Sequence, residues 1–338
     1  MQLKIHKNSK GGVKLSEKTK IGIVGYGNLG KGVELAIEQN EDMELVSIFT
    51  RRDPSTLNHP LMENVNNIEN YKDKIDVMVL CGGSATDLPE QTPEITKTFN
   101  TVDSFDTHAN IPVHFEKVNK IGKDAGTLSL ISTGWDPGLF SMYRIMGESM
   151  LPIGNTYTFW GEGVSQGHSD AIRRIRGVAD GKQYTVPIEK ALGKVRSGEN
   201  PEFTTREKHL RVCYVVAEEG ANKADIENEI KTMKNYFDEY DTEVNFITQE
   251  ELEKNHSGMP HGGYVIRTGK SESGNNQRME FVLELESNPE FTSSVLIAYA
   301  RAVKKMASKG KSGCMTVFDV PLAMLSPKSG EELRKELL

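Results

Sequence analysis

The chain is short of cysteine, of tryptophan, of long apolar runs and of any basic excess, and each shortage excludes a class of protein. Only Cys81, Cys213 and Cys314 occur in 338 residues. They are widely spaced, form no CxxC and cannot all pair, so no disulfide scaffold is expected and a reducing cytoplasm fits best. No apolar stretch approaches the roughly 18 residues of a membrane span. Met1 to Glu17 is polar and basic without an apolar h-region, so it does not read as a secretion signal. With 41 Lys and Arg against 48 Asp and Glu the net charge is −7. The basic residues are mixed with acids, which argues against a nucleic-acid partner. His168-Ser169-Asp170 lacks further ligands at zinc spacing, so no metal is expected. No internal repeat or low-complexity segment is present, and the length suits two globular domains.

What is present is organised around residues 21–52. Ile21-Gly22-Ile23-Val24 is a short β-branched run, and Gly25-Tyr26-Gly27-Asn28-Leu29-Gly30 follows directly as G-x-G-x-x-G. From Lys31 the apolar residues Val33, Leu35, Ala36 and Ile37 fit one side of a helix, and Met43 to Phe49 supplies a second strand. In such a βαβ unit Gly25 permits the tight turn, Gly27 lets backbone approach a pyrophosphate and Gly30 lets helix pack on strand. The helix N-terminus faces the phosphates. A dinucleotide site is expected at Gly25, Tyr26, Gly27, Asn28 and Leu29. An NAD site places an acid after the second strand for the ribose 2′-hydroxyl. Here Thr50 is followed by Arg51 and Arg52, whose guanidinium groups suit a 2′-phosphate, so NADP is expected, although Asp53 directly after them keeps NAD open.

The remaining pattern divides the chain. Residues 1–20 read as an extension. Strands at Ile75–Cys81, Asn100–Asp106 and Thr127–Ser132, with helices between, predict a doubly wound parallel sheet of Rossmann type over residues 21–134. Small residues after the third strand, Ser84, Ala85 and Thr86, are candidates to line the cofactor's second half. Over residues 135–311 longer alternating strands with fewer helices predict an α+β substrate domain on a mostly antiparallel sheet, with homodimerisation a fair expectation. Residues 312–338 are expected to return to the first domain.

Candidate chemistry lies at strand ends. A nicotinamide enzyme acting on an amine needs carboxylates or carbonyls to orient an ammonium group. Asp106 and Asp136 follow consecutive strands and are placed to meet a cation; both also read as ordinary helix caps. Trp135 and Trp160 are either pocket walls or core. In the second domain Thr185, Arg211, His261 and Asn276 form another set. Arg211 interrupts an apolar strand and, if it faces inward, needs a partner such as a substrate carboxylate. Gly163-Val164-Ser165-Gln166-Gly167 also matches the nucleophile elbow of serine hydrolases. The dinucleotide unit would have no role in acyl transfer.

Taken together, Val24 to Gly30, Ser84 to Asp87, Ser132 to Gly138, Thr158 to Gly161, Ser165 to Asp170 and Gly258 to Gly263 resemble the meso-diaminopimelate dehydrogenase family. The resemblance runs from about Ile21 to the C-terminal region. It implies NADP-dependent, reversible oxidative deamination of the D-centre of meso-2,6-diaminopimelate by a cytoplasmic homodimer. It also implies that Asp106, Asp136 and Trp160 surround the D-centre, that Trp135 and the loop Ser165, Gln166 and Gly167 close the pocket, and that Thr185, Arg211, His261 and Asn276 hold the distal L-centre. A relative acting on simpler D-amino acids, a different NADP-dependent reductase and an NADP-sensing protein are the alternatives.

Overall fold

The computed structural model describes residues 18–338. The first strand, β1 (Thr19–Val24), already takes in the last two residues of the expected extension, and residues 1–17 lie outside the described residues. It is followed by α1 (Asn28–Glu38), β2 (Met43–Thr50), β3 (Met62–Asn64), β4 (Val77–Leu80), α2 (Leu88–Thr96), β5 (Thr101–Asp103), α3 (Ile111–Ala125) and β6 (Leu128–Leu130). Helix signals agree with these bounds. Pro112 sits in the first turn of α3, where its missing N–H costs nothing, and Gly126 closes that helix at φ +74°.

These strands form one parallel sheet in the order β6-β5-β4-β1-β2-β3. The order reverses between β1 and β4, and in open α/β sheets that switch point, at the carboxyl ends of the strands, is where ligands bind. The expected Rossmann-type sheet is present.

The chain then runs through α4 (Leu139–Met150), β7 (Gly154–Trp160), β8 (Gly163–Val164), α5 (Gln166–Arg173), β9 (Val178–Pro187), α6 (Glu189–Arg196), α7 (Thr205–Lys208), β10 (His209–Ala217), α8 (Lys223–Thr232), β11 (Asp241–Phe246), α9 (Gln249–His256), β12 (His261–Lys270) and β13 (Asn276–Leu285). The second region is mostly antiparallel as expected, but it is built as two sheets, β11-β10-β9-β8 and β13-β12-β7. The β10–β11 pair is parallel because α8 crosses over between them.

The return to the first sheet begins with α10 (Asn288–Ala307), not at the expected residue 312. Val295, Leu296, Tyr299, Ala300 and Val303 of α10 pack with Ile21, Ile23, Val77 and Val79 of the parallel strands and with Val33 and Ile37 of α1. On the opposite face Leu88 and Ile95 of α2 cover Met78, Leu80 and Phe49. Then β14 (Gly313–Met315) adds to β6 as a seventh parallel strand, and α11 (Gly330–Leu337) ends the chain. Among the described residues no helix is long and apolar enough to cross a membrane.

Candidate active site

The loops after β1, β4, β5 and β6 open into one cleft of about 800 Å³, whose other wall comes from β8, β9, β10 and the start of α5 and β12. At the sheet side Gly25 has φ +93° and donates its N–H to the Phe49 carbonyl, which makes the turn into α1. A Cβ on Gly30 would lie 2.1 Å from the Gly25 carbonyl oxygen, whereas a Cβ on Gly27 would meet nothing within 4 Å. The helix starts at Asn28 with no side-chain cap, so its first N–H groups are free to meet an anion. Gly27, Asn28, Leu29 and Ser84 line this cleft.

A second cavity of about 270 Å³ adjoins it, lined by Gly25, Tyr26, Arg51, Arg52, Asp87 and Gln91 among others. Arg52 Nη2 donates to the Tyr26 carbonyl at 2.9 Å, and Arg51 pairs with Asp87 at 2.9 Å across the opening. Both cationic groups therefore sit beyond the carboxyl end of β2. Ala85 and Thr86 line neither cavity. They lie on the exposed side of the turn, because the Asp87 carboxylate folds back to accept the Gly83 N–H at 2.9 Å and turns the loop outward.

The two expected acids differ. Asp136 is held on both oxygens, by Arg144 Nη2 at 2.7 Å and by the indole N–H of Trp160 at 2.6 Å, and its side chain is only 4 % exposed. Asp106 is exposed. Its N–H donates to Ser84 Oγ at 2.8 Å, and its carboxylate has no hydrogen-bond or ion-pair partner among the described residues. Trp160 is fixed from behind as well, its backbone N–H donating to His209 Nε2 at 2.9 Å. Burial, then the charges of Lys208 and Arg211, push the His209 pKa down to about 3, which keeps this nitrogen an acceptor. Trp135 packs its ring 4.9 Å from that of His261 and donates its indole N–H to Asn288 Oδ1 at 2.8 Å.

At the far end Arg211 faces Thr185 across the β9–β10 ladder and donates to its hydroxyl. The guanidinium lies 3.8 Å from the centroid of Tyr240, the residue is 6 % exposed, and its Nε has no partner. No carboxylate among the described residues pairs with it. Burial, with Arg211 adding to the shift, lowers the pKa of His261, and the same two causes push that of His168 down to about 4. The chamber is thus a fixed cation among neutral rings. Burying a cation without a counter-ion is costly, so the arrangement is complementary to an anion.

Asn276 does not belong here. It opens β13 opposite Lys270, while the cleft lies at the other end of the hairpin, where His261 faces Leu285. At about 3.4 Å per residue the separation along the strand is roughly 30 Å. The asparagine that reaches the cleft is Asn288, at the start of α10.

The nucleophile-elbow match also resolves. Ser165 Oγ lies 2.7 Å from His168 Nδ1, and the ring makes a second hydrogen bond to the Tyr236 backbone. A ring whose conjugate acid has a pKa near 4 is a weak general base at neutral pH. Ser165 and His168 therefore share a hydrogen bond without a base strong enough to activate the hydroxyl.

Residues 134–287 match the family described as Diaminopimelic acid dehydrogenase C-terminal domain. The chain is 64 % identical over 324 residues to the meso-diaminopimelate D-dehydrogenase of Ureibacillus thermosphaericus, covering 95 % of this chain and 99 % of that one. It belongs to the meso-diaminopimelate dehydrogenase family. A solved six-substitution mutant of the meso-DAP dehydrogenase of Clostridium tetani E88, with DAP, superposes with a TM-score of 0.91 at 61 % identity, over 95 % of this chain and all of that one. An engineered D-amino acid dehydrogenase bound to NADP+ superposes at 0.84 and 43 % identity, over 95 % of this chain and all of that one.

The diaminopimelate dehydrogenase fold brings into its cleft several residues that sequence reasoning missed, His168, His209, Tyr240 and Asn288, and sets Arg144 against Asp136. Arg144 sits in α4, which no sequence signal announced, and bonds Thr158 on β7 as well as Asp136. Only tertiary packing joins those three. NADP fits the site by the open face of Gly27, the uncapped start of α1 and the paired Arg51 and Arg52. Among the described residues no group of three or more His, Cys, Asp or Glu could hold a metal ion.

Proposed function

We propose that the protein catalyses the reversible NADP-dependent oxidative deamination of the D-centre of meso-2,6-diaminopimelate to L-2-amino-6-oxopimelate and ammonium. The observation that carries this reading is Arg211, a buried guanidinium with no carboxylate of its own, in the same cleft as the glycine loop. The distal carboxylate of the substrate supplies the missing counter-ion, with Thr185 and His261 beside it. The glycine turn and the start of α1 hold the pyrophosphate, and Arg51 and Arg52 the 2′-phosphate. When bound, NADP supplies the hydride acceptor.

The two acids divide the work at the D-centre. Asp136, neutralised by Arg144, fixes the Trp160 indole as a wall and does not need to change protonation. Asp106, with its carboxylate free, meets the ammonium group and takes its proton as the C–H bond is broken. Ser165 lines the same cleft, where its hydroxyl meets a polar group of the ligand. Anchoring one end makes the opposite hand at the other end readable, since a ligand lacking the distal carboxylate leaves Arg211 unpaired.

Homodimerisation is part of the same proposal. Ile145 and Met150 on α4, Ile153 just before β7 and Val282 on β13 are exposed apolar residues that a second copy would cover. A cytoplasmic site agrees with three free cysteines. The test is NADPH formation at alkaline pH with meso-, LL- and DD-diaminopimelate, D-lysine and D-alanine, each repeated with NAD, alongside sedimentation for mass. Activity confined to the meso isomer with NADP is expected. Turnover of D-alanine rivalling it would overturn the anchored-end account, and NADPH binding without any turnover would make the protein a sensor.

A further inference from the structure

Asp103, the last residue of β5, is fully buried and touches neither cavity. Its carboxylate nevertheless collects the exits of two adjacent strands. Oδ1 accepts the N–H of Phe105 at 3.0 Å and the N–H of Ser132 at 3.0 Å, and Oδ2 accepts the Thr92 hydroxyl at 2.6 Å. The Asp103 carbonyl accepts the N–H of Thr133 at 2.9 Å. Phe105 immediately precedes Asp106, while Ser132 and Thr133 open the loop that carries Trp135 and Asp136.

Ser132 shows that this gathering is under tension. Its φ is +56°, the left-handed region that a side chain disfavours, and its hydroxyl is buried with no partner. Such a residue keeps its conformation only where the surroundings over-determine it. The Asp103 carboxylate is the group that does so. His114 Nε2 stands 3.5 Å from Oδ2 and makes no hydrogen bond, while its ring stacks 4.2 Å from that of Phe105. The clamp is therefore built on hydrogen bonds to the carboxylate, with the His114 ring nitrogen within ion-pair reach of Oδ2.

We infer that Asp103 is a positioning residue: one oxygen bonded to both loops sets the separation of Asp106 from Asp136 across the D-centre. This rests on the reading that those two acids flank the reacting carbon. Losing the clamp lets the Ser132 backbone relax out of the left-handed region and swings Asp136 and Trp135 relative to Asp106. A displacement of about 1 Å at a reacting centre costs on the order of 100-fold in rate.

The experiment compares Asp103→Ala, Asp103→Asn and Asp103→Ala with Ser132→Gly, on full-length protein. Four quantities are read: kcat and KM for meso-diaminopimelate, NADPH affinity by fluorescence, and amide exchange of peptides spanning residues 104–106 and 131–136. Asp103→Ala should lower kcat about 100-fold with NADPH affinity kept, and exchange should quicken in those two peptides only. Asp103→Asn keeps an oxygen for both N–H groups and should restore most of the lost rate. Ser132→Gly, for which φ near +56° is unstrained, should recover part of it in the double variant.

Wild-type kcat in Asp103→Ala, or equal losses in rate, NADPH affinity and protection across the whole chain, would overturn the inference. If Asp103→Ala does not fold, Asp103→Asn decides alone. A folded Asp103→Asn with a 100-fold lower kcat would show that the charge, not the two bonds, matters. Should the wild type turn over no amino acid, the functional reading has failed, and the exchange pattern still tests the clamp.

Discussion

Arg301 and Arg211 are buried to nearly the same degree, one under the parallel sheet and one in the substrate region, yet their surroundings differ. Arg301 is saturated. Its Nε and Nη2 bond both oxygens of Asp42 at 2.6 and 2.8 Å, Nη2 also bonds Asn40 Oδ1, and Nη1 bonds the Leu325 carbonyl at 2.7 Å. Arg211 has one hydroxyl, one aromatic face and an orphan Nε. A buried charge with its partners complete tells of folding. One with its partners missing tells of a ligand, because the desolvation cost is met only when something binds.

The comparison breaks most sharply on Arg211→Met. Removing one partner of a buried charge pair should cut kcat/KM for meso-diaminopimelate on the order of 10²- to 10³-fold, with thermal stability kept or raised. A drop in melting temperature without a change in KM would make Arg211 an ordinary structural cation. Arg301→Met should do the reverse. It leaves Asp42 and Asn40 unpaired, and urea titration should show a loss of about 3 kcal/mol with KM for the substrate unchanged.

Exposed guanidinium groups form a third case. Replacing Arg51 and Arg52 together by Ser should reduce the preference for NADP over NAD on the order of 10- to 100-fold, read as the ratio of kcat/KM values, and leave stability within about 0.5 kcal/mol. An unchanged ratio would move the 2′-phosphate elsewhere.

The smallest effect is one of pH. His168 and His209 titrate near 6.5 when unfolded but only near 4 and 3 in the folded protein. Between those values the unfolded chain binds the protons that the native state refuses, so stability is full above about pH 6.5 and declines as the pH falls toward 4. Arg211 contributes to both shifts, after burial, so melting curves of Arg211→Met should show a shallower acid slope. An identical slope would mean that the guanidinium does not act on these rings.

Much of this was legible in the sequence, for a physical reason. Glycine turns and short apolar strands are local, so the βαβ unit and the alternation of strands and helices that makes the sheet parallel could be read from Ile21 onward. Arg211 stood out because a charge interrupts an apolar strand. What escaped depends on contacts distant in sequence. Asp136 gave no sign of Arg144, which reaches it from a helix with exposed apolar residues and no clear capping signal. Asn276 lies in the polar run Lys270 to Gln277, whose register no apolar pattern fixes, and that run is the remote tip of a hairpin. Asn288 opens α10 ahead of its apolar run and carries no local signal of a pocket. The division of the second region into two sheets is likewise set by pairings such as Gly263 with Trp160 that no local pattern encodes.

The position of α10 and β14 bears on how the protein comes into being. A ribosome releases β1 to β6 first, but the helix that fills much of one core face, and the strand that closes the β6 edge, are among the last parts to emerge. Until then the nascent sheet carries an uncovered apolar face and an open edge, while the whole substrate region is synthesised in between. The first-made half of this molecule is thus the last to be finished.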